Sequence, residues 1–204
     1  MTGAEFAAAV TQAIAGGTCV RLDRLIVSEP VDLSARDVAA IDLSGAIFEA
    51  PVVFIGARFS GLSWFKKCTF KARARFDRAV FANDARFDAC AFHQGADFCG
   101  AEFHGMAGFD RATFGATADF SRALSFGNVS MGETTFDAAA VFRDAQCMGG
   151  LWLERGRFRG RLELEGVAVH GRTWLREVRM GEQGRAASAE AIADMVTSFG
   201  YQWL

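Results

Sequence analysis

Phenylalanine recurs along the chain at steps that alternate between six and five residues, and no step is missed from residue 48 to residue 120. The series runs through Phe48, Phe54, Phe59, Phe65, Phe70, Phe76, Phe81, Phe87, Phe92, Phe98, Phe103, Phe109, Phe114 and Phe120. Two residues before most of these positions stands a small residue such as Ala46, Ala57 or Ala74. Side chains two residues apart share one face of a strand, whereas a helix needs apolar spacing near 3.6. The pattern therefore predicts short strands separated by regular corners.

A second period indicates how many strands make one coil. Glycine or asparagine recurs every 22 residues in a single column. The column consists of Gly61, Asn83, Gly105, Gly127, Gly149 and Gly171. The column six residues further on, represented by Lys67 and Ala89, contains no glycine, so the repeat is 22 residues with four sides of 6+5+6+5. Because Gly and Asn accept positive φ, the glycine column predicts one left-handed corner per coil. The alternative is that glycine is simply abundant, with 22 in the chain.

Repeats this short cannot bury a face alone, so successive coils must stack into an all-β solenoid. About seven coils fit between residues 20 and 180, which gives a rod roughly 35 Å long at about 4.8 Å per coil. Phenylalanine rings along the axis form the predicted structural ladder. Its representative members are Phe54, Phe65, Phe76, Phe87, Phe98, Phe109 and Phe120. Towards the C-terminal end Leu153 and Leu164 replace Phe while their small neighbours become larger, which indicates volume compensation.

Both ends are predicted to cap the solenoid with short helices, since an open solenoid must cover its terminal strands. Residues 1–19 contain an apolar helical face made by Phe6, Val10 and Ile14, and glycines follow it. Residues 181–204 contain a second predicted helix over 187–199, with Ser188 as its N-cap, and an apolar tail. Either this segment folds back over the last coil, or it pairs with a second copy. The candidate dimerisation residues are Trp152, Trp174, Ile192, Met195, Val196, Phe199 and Trp203.

Composition excludes several classes of protein. The net charge of −2 over 204 residues argues against a dedicated nucleic-acid binder and, less firmly, against a strongly acidic DNA mimic. No apolar run reaches about 18 residues, and the start of the chain lacks the basic flank of a signal peptide, so no membrane contact is expected. The five cysteines lack CxxC spacing, so neither a disulfide framework nor a zinc site is predicted and a reducing cytoplasm is expected.

Residues suited to catalysis or metal binding do not converge in the predicted coils. His104 and His170 fall on one outward column but three coils apart, which is too far for a shared metal ion. Cys68 and Cys90 should stack in adjacent coils; a disulfide or metal pair is conceivable, but buried thiols at positions usually held by Ala are the better interpretation. Because no phosphate-binding loop or nucleophile–base pair stands out, the expectation is a non-enzymatic protein without cofactors.

Function is therefore expected on the outward faces. On one side Asp77, Asp97 and Asp119 are candidate partner-binding residues, although arginines interleave with the acids as for cross-coil ion pairs. On another side the outward positions are unusually apolar, and the candidate partner-binding residues there are Leu124, Phe126 and Met148. The alternative is that a terminal element or loop covers this apolar side.

The repeat resembles the pentapeptide-repeat family, in which a central Leu or Phe follows a small residue by two positions. The segments Gly-Ala-Arg-Phe (56–59), Asp-Ala-Arg-Phe-Asp (84–88) and Gly-Ala-Asp-Phe (95–98) carry the resemblance, which covers roughly residues 20–180. It implies a right-handed quadrilateral β-helix, and it favours dimerisation through the C-terminal end. The extra residue on alternate sides departs from the strict step of five and should bulge those corners.

Two functions follow as expectations. Family members that this chain resembles protect DNA gyrase, a type II topoisomerase, from antibiotics by presenting a DNA-like rod. That resemblance implies a topoisomerase-binding protein, with the near-neutral charge and the interleaved arginines against it. The alternative is a general protein-interaction scaffold that uses an apolar or aromatic face, with an unknown partner.

Overall fold

A computed structural model describes residues 1–181, 185–186 and 192–203, with residues 185, 186 and 203 described through their backbone. Two-residue strands form four sheets, A to D, that the chain visits in turn, as the repeat predicts. Sheet A contains β1 (Val20–Arg21), β5 (Ile41–Asp42), β9 (Ser63–Trp64), β13 (Ala85–Arg86), β17 (Ala107–Gly108), β21 (Val129–Ser130), β25 (Leu151–Trp152), β29 (Thr173–Trp174) and β33 (Gln202–Trp203). Sheet B contains β2 (Ile26–Val27), β6 (Ile47–Phe48), β10 (Thr69–Phe70), β14 (Ala91–Phe92), β18 (Thr113–Phe114), β22 (Thr135–Phe136), β26 (Arg157–Phe158), β30 (Arg179–Met180) and β31 (Arg185–Ala186).

The other two sheets complete each coil. Sheet C contains β3 (Val31–Asp32), β7 (Val52–Val53), β11 (Ala74–Arg75), β15 (Ala96–Asp97), β19 (Ala118–Asp119), β23 (Ala140–Val141) and β27 (Leu162–Glu163). Sheet D contains β4 (Asp37–Val38), β8 (Arg58–Phe59), β12 (Val80–Phe81), β16 (Glu102–Phe103), β20 (Leu124–Ser125), β24 (Gln146–Cys147), β28 (Ala168–Val169) and β32 (Thr197–Ser198). Parallel pairing links the strands of successive coils, 22 residues apart in the body of the rod, as for Phe70 and Phe92, and β31 alone among the described strands pairs antiparallel, with β30. The first coil is one residue shorter, because Val20 pairs with Ile41.

Two kinds of corner alternate around each coil. From sheet A to sheet B, and from C to D, the chain makes a four-residue turn such as 65–68, closed by the Cys68 N–H to the Phe65 carbonyl at 3.0 Å. The third residue of that turn, Lys67, has a φ of +59°, which defines a type II turn. The other two corners hold the extra residue of the six-residue step.

The residues with left-handed φ lie in columns that contain no run of glycine, and not in the glycine column. In the described part of the chain the glycine column has no positive φ, whereas the column represented by Lys67 and Ala89 has φ near +55°. The prediction of positive φ for the glycine column is therefore wrong. A Cβ at Gly149 would collide with the carbonyl group of Gly127, and one at Gly127 would collide with that of Gly105. Glycine is needed there because the coils approach too closely for a side chain.

The interior consists of stacked phenylalanine rings, and all seven representative ladder residues are buried. Phe98 lies nearly parallel to Phe76 and Phe120, with ring centroids 4.9 and 5.0 Å away. It also meets Phe87 and Phe109 edge to face, both at 5.2 Å. Both arrangements are favourable for aromatic quadrupoles, so the rings fix the spacing of the coils as well as filling the interior.

The ladder is interrupted in sheet D, where Ser125 and then Cys147 occupy inward positions that Phe103 holds one coil earlier. The Ser125 hydroxyl donates to the Gly127 carbonyl at 2.8 Å. An apolar cavity of about 30 Å³ lies beside these residues, lined also by Met131 and other core side chains. Burial raises the pKa of the Cys147 thiol to about 12, so it stays protonated. The compensation of volume predicted for this end of the rod is therefore incomplete around Ser125.

Helix α1 (Gly3–Ala15) caps the N-terminal end. A capping box forms as the Thr2 side chain accepts from the Glu5 N–H while the Glu5 carboxylate accepts from the Thr2 N–H. Phe6 is buried and meets Phe48 edge to face, with ring centroids 5.9 Å apart. Ile14, predicted on the same face, is more than a third exposed because the helix extends past the first coil.

The C-terminal end folds back onto the last coil, which is the first of the two alternatives left open by the sequence. The predicted helix over 187–199 is wrong for residues 197–198, which form β32 and pair with β28. The free edge of sheet D explains this, since it supplies carbonyl acceptors to the N–H groups of Thr197 and Phe199, both at 2.9 Å. Residues 192–193 are helical, whereas residues 187–191, with the predicted N-cap Ser188, lie outside the described residues.

Candidate interaction surfaces

The sheet C side carries acidic residues that are mostly engaged with arginines. Asp77 pairs with Arg75 at 3.1 Å, and Asp97 lies 3.5 Å from Arg73. Asp119 accepts the Ser121 N–H at 2.8 Å. Of these predicted binding residues, Asp77 and Asp97 are paired with cations and Asp119 is held by a backbone N–H, so the side is not an uninterrupted acidic stripe. Such a side is poorly suited to imitate the phosphate backbone of DNA.

Asp97 gives this network a dependence on pH. Its side chain is 13% exposed, and burial, followed by the carboxylates of Asp77 and Asp119, raises its pKa above the ordinary value of 3.8, while the Cys99 N–H partly offsets this. The unfolded chain therefore releases this proton at a lower pH than the folded chain does. It follows that the stability contributed by Asp97 is greatest in acid and declines as pH rises from about 3.8 through the folded pKa.

Asp97→Asn is expected to reduce that decline, because an amide does not titrate. The measurement is the free energy of urea unfolding of both proteins from pH 3.5 to 7, with Asp144→Asn as a control that removes an exposed carboxylate from the same side of the rod. An unchanged pH slope in Asp97→Asn would contradict the raised pKa.

Sheet A carries a column of tryptophans near the C-terminal end. Trp152 pairs in register with Trp174, and the backbone of Trp203 pairs with that of Trp174 one coil later. Trp152 and Trp174 are each half-buried. The C-terminal segment therefore adds Trp203 to the tryptophan column of its own chain, as judged from the backbone register.

The other candidate dimerisation residues divide into two groups. Ile192 and Val196 are buried in the end of the rod, so they cap it and cannot form a surface for a second copy. Met195 is exposed, and Phe199 is 67% exposed.

Sheet D carries a run of exposed large apolar residues. The residue that follows each inward residue of this sheet forms a column with one member per coil. We call its last five members the sheet D strip: His104, Phe126, Met148, His170 and Phe199. Phe126 is 52% exposed and Met148 is 42% exposed, with Leu124 half-buried beside them. Within the described residues the strip is not covered by a terminal element, which was the alternative considered from the sequence.

Aromatic contacts hold the two ends of the strip. The imidazole of His104 lies edge-on to Phe126 with ring centroids 5.1 Å apart, and it is 3.3 Å from the Glu102 carboxylate. At the other end His170 stacks on Phe199 at 4.8 Å. These contacts give the exposed side chains a defined arrangement.

Every member of the strip is followed by glycine, namely Gly105, Gly127, Gly149, Gly171 and Gly200. These glycines leave the corner beside the strip without side chains, so a partner can approach the backbone. Phe126 and Met148 were predicted from the sequence, whereas His104, His170 and Phe199 were not recognised as members of the same surface. The available signal was the four residue–glycine pairs spaced by 22, from His104–Gly105 to His170–Gly171.

The cysteines do not form a reactive site in the interior. The thiols of Cys68 and Cys90 are buried and donate to the carbonyl oxygens of Leu43 and Phe65, at 3.0 and 2.8 Å. Burial raises the pKa of Cys90 well above its usual range. Both thiols therefore act as small buried donors that tie one coil to the turn below it.

Over the described ranges, no three His, Cys, Asp or Glu side chains converge as metal ligands. No helix in that same part of the chain has the length and apolar character needed to cross a membrane.

Comparison with known proteins supports the fold assignment. A family model described as pentapeptide repeats (9 copies) matches residues 39–80 and 65–113. No curated protein and no solved structure matches the chain. The matched residues lie in the coils where the Phe series is unbroken, and the same four-sheet register continues on both sides of them. With the repeat matched in sequence and the four-sided solenoid present in structure, the chain is a four-sided β-solenoid whose residues 39–113 match the pentapeptide-repeat family.

Proposed function

We propose that this chain is a non-enzymatic protein-interaction module that contacts its partner through the sheet D strip. The observation that carries the proposal is the exposure of Phe126 and Met148 in adjacent coils (one position of the strip per coil is called a rung), where each is followed by a glycine. Exposed apolar side chains of this size contribute little to folding, and contiguous ones mark interaction sites. Aromatic residues and methionine are also enriched at the centres of protein interfaces.

A type II topoisomerase such as DNA gyrase is the specific partner that the family resemblance suggests. A rod of stacked coils supports this choice, whereas the ion-paired acids on sheet C weigh against contact by imitation of DNA. The proposal is therefore that the enzyme is bound through the apolar strip, without direct contact between this chain and nucleic acid.

Phe126→Glu tests the topoisomerase version. Purified protein is titrated into a gyrase supercoiling assay with and without a fluoroquinolone, and we expect the wild type to change supercoiling or protect the enzyme. A charge at the centre of the strip should weaken that effect at least about tenfold. Thr113→Glu places the same charge on the exposed face of sheet B and should act like wild type. A wild-type protein without effect at micromolar concentration would overturn the choice of gyrase.

The general interaction module is tested by affinity capture from lysate, with wild type, Phe126→Glu and Met148→Glu as baits. Recovery of the same partners by all three baits would exclude the sheet D strip as the contact surface.

Two further predictions from the sequence are part of this proposal. Dimerisation through the C-terminal end now rests on Met195 and Phe199, since both are exposed there. A cytoplasmic location is supported by five free thiols, including the exposed Cys19.

A further inference from the structure

Set against its own reverse, the sheet D strip places each imidazole opposite a phenyl ring and Met148 opposite Met148. From the N-terminal to the C-terminal rung it consists of an imidazole, a phenyl ring, a methionine, an imidazole and a phenyl ring. When two strips lie antiparallel about Met148, His104 faces the partner's Phe199 and Phe126 faces the partner's His170. Met148 then faces the partner's Met148 on the two-fold axis. A two-fold interface needs this kind of self-complementarity, because each contact occurs twice.

We infer that the sheet D strip binds a second copy of this chain, with the two rods side by side and antiparallel. This inference rests on the proposed function of the strip as a contact surface and names its occupant. Each cross-copy pair away from the axis joins an imidazole to a phenyl ring. The chain already makes that contact twice within one copy, between His104 and Phe126 and between His170 and Phe199. The axis itself brings two flexible thioethers together beside aromatic rings, which sulfur favours.

The flanking columns are compatible in charge with this arrangement. On the outward column of sheet D, Glu102 faces the partner's Thr197, and Leu124 faces the partner's Ala168. On the other side of the glycine column, Asn128 faces the partner's Arg172. No like charges meet across the axis at these positions, so the antiparallel arrangement carries no electrostatic penalty that would select against it.

The size of the surface sets the strength of the dimer. Five rungs at about 4.8 Å span roughly 20 Å between the end residues. The glycine corners let the partner's side chains approach the backbone, but the contact area stays at the small end for specific interfaces. We therefore expect a weak dimer whose population depends on concentration.

Site-directed cross-linking tests the geometry on a background in which Cys19 and Cys99, the two cysteines that are not buried, are replaced by serine. Met148→Cys should form a disulfide-linked dimer under mild oxidation, because the two thiols meet on the axis. Phe126→Cys and His170→Cys should each stay monomeric alone and form a mixed dimer when combined, since copies of the same position lie two rungs apart. Thr113→Cys on the face of sheet B is the matched control and should not link.

Sedimentation velocity over a concentration series gives the second measurement. Phe126→Glu should weaken self-association at least about tenfold, while its circular dichroism and melting temperature stay like those of wild type. Adding His170→Arg to Phe126→Glu should restore the dimer, because each glutamate then faces a guanidinium in the partner.

A protein that stays monomeric at every concentration, or one that links through Thr113→Cys and not through Met148→Cys, would overturn the inference. In that case loss of gyrase binding or partner capture in Phe126→Glu would still uphold the proposed function. If the strip variants change neither self-association nor partner binding, both proposals fail.

Discussion

Replacing Phe98 with alanine is expected to lower the free energy of unfolding by about 3–5 kcal/mol. The ring is buried at the middle of the rod, stacked between Phe76 and Phe120 and flanked edge-on by Phe87 and Phe109. Its removal leaves a cavity in the stack of rings along the axis of the rod. The hydrogen bonds between coils hold the neighbouring coils in place, so they cannot close the cavity. Urea unfolding followed by circular dichroism measures the change.

Phe126→Ala is the matched control for Phe98→Ala, because it removes the same ring from an exposed position. It should change stability by less than about 1 kcal/mol. A Phe98→Ala protein that loses less than about 1 kcal/mol would show that the ring is not buried in a fixed stack.

Gly149→Ala is expected to destabilise the rod by about 1–3 kcal/mol. A Cβ there would collide with the Gly127 carbonyl group and come within 2.9 Å of the Asn128 nitrogen. The coil cannot shift away, since the Gly149 carbonyl is itself held by the Gly171 N–H at 2.8 Å. Thermal and urea unfolding measure the loss.

Ala89→Gly is the informative partner of Gly149→Ala. Its φ of +54° strains an L-residue, so glycine should stabilise the turn by up to about 1 kcal/mol, less the added freedom of the unfolded chain. If alanine is tolerated at position 149 and glycine at position 89 is destabilising, the assignment of positive φ to Ala89 and of a close coil contact to Gly149 is contradicted.

The ladder could be predicted from sequence because one large ring per side, at a spacing no helix can produce, leaves a single way to bury the rings. The corners could not, because a type II turn and a close coil contact both select glycine. Only the distance between Gly149 and the coil below it distinguishes the two causes.

The C-terminal segment shows a different limit of sequence reasoning. The spacing of Ile192, Met195, Val196 and Phe199 suits a helix, but the free edge of sheet D offered acceptors that a sequence pattern does not reveal. Thr197 pairs with Ala168, 29 residues earlier rather than 22, so Phe199 could not be placed on the column of Phe126 and Met148 by counting. The four members of the candidate site at 22-residue spacing, His104, Phe126, Met148 and His170, were therefore predictable, and Phe199 was not.

Uniform coils have a consequence for how such a chain can change over time. Because strand partners in the body of the rod are 22 residues apart, duplication of one repeat would lengthen the rod by about 4.8 Å without altering its cross-section. A duplication among residues 63–84 would leave the sheet D strip untouched. One inserted between Phe126 and Met148 would move the centre of the strip away from Met148. The fold therefore accepts the addition of whole repeats, and the position of the sheet D strip determines which additions leave the proposed interface unchanged.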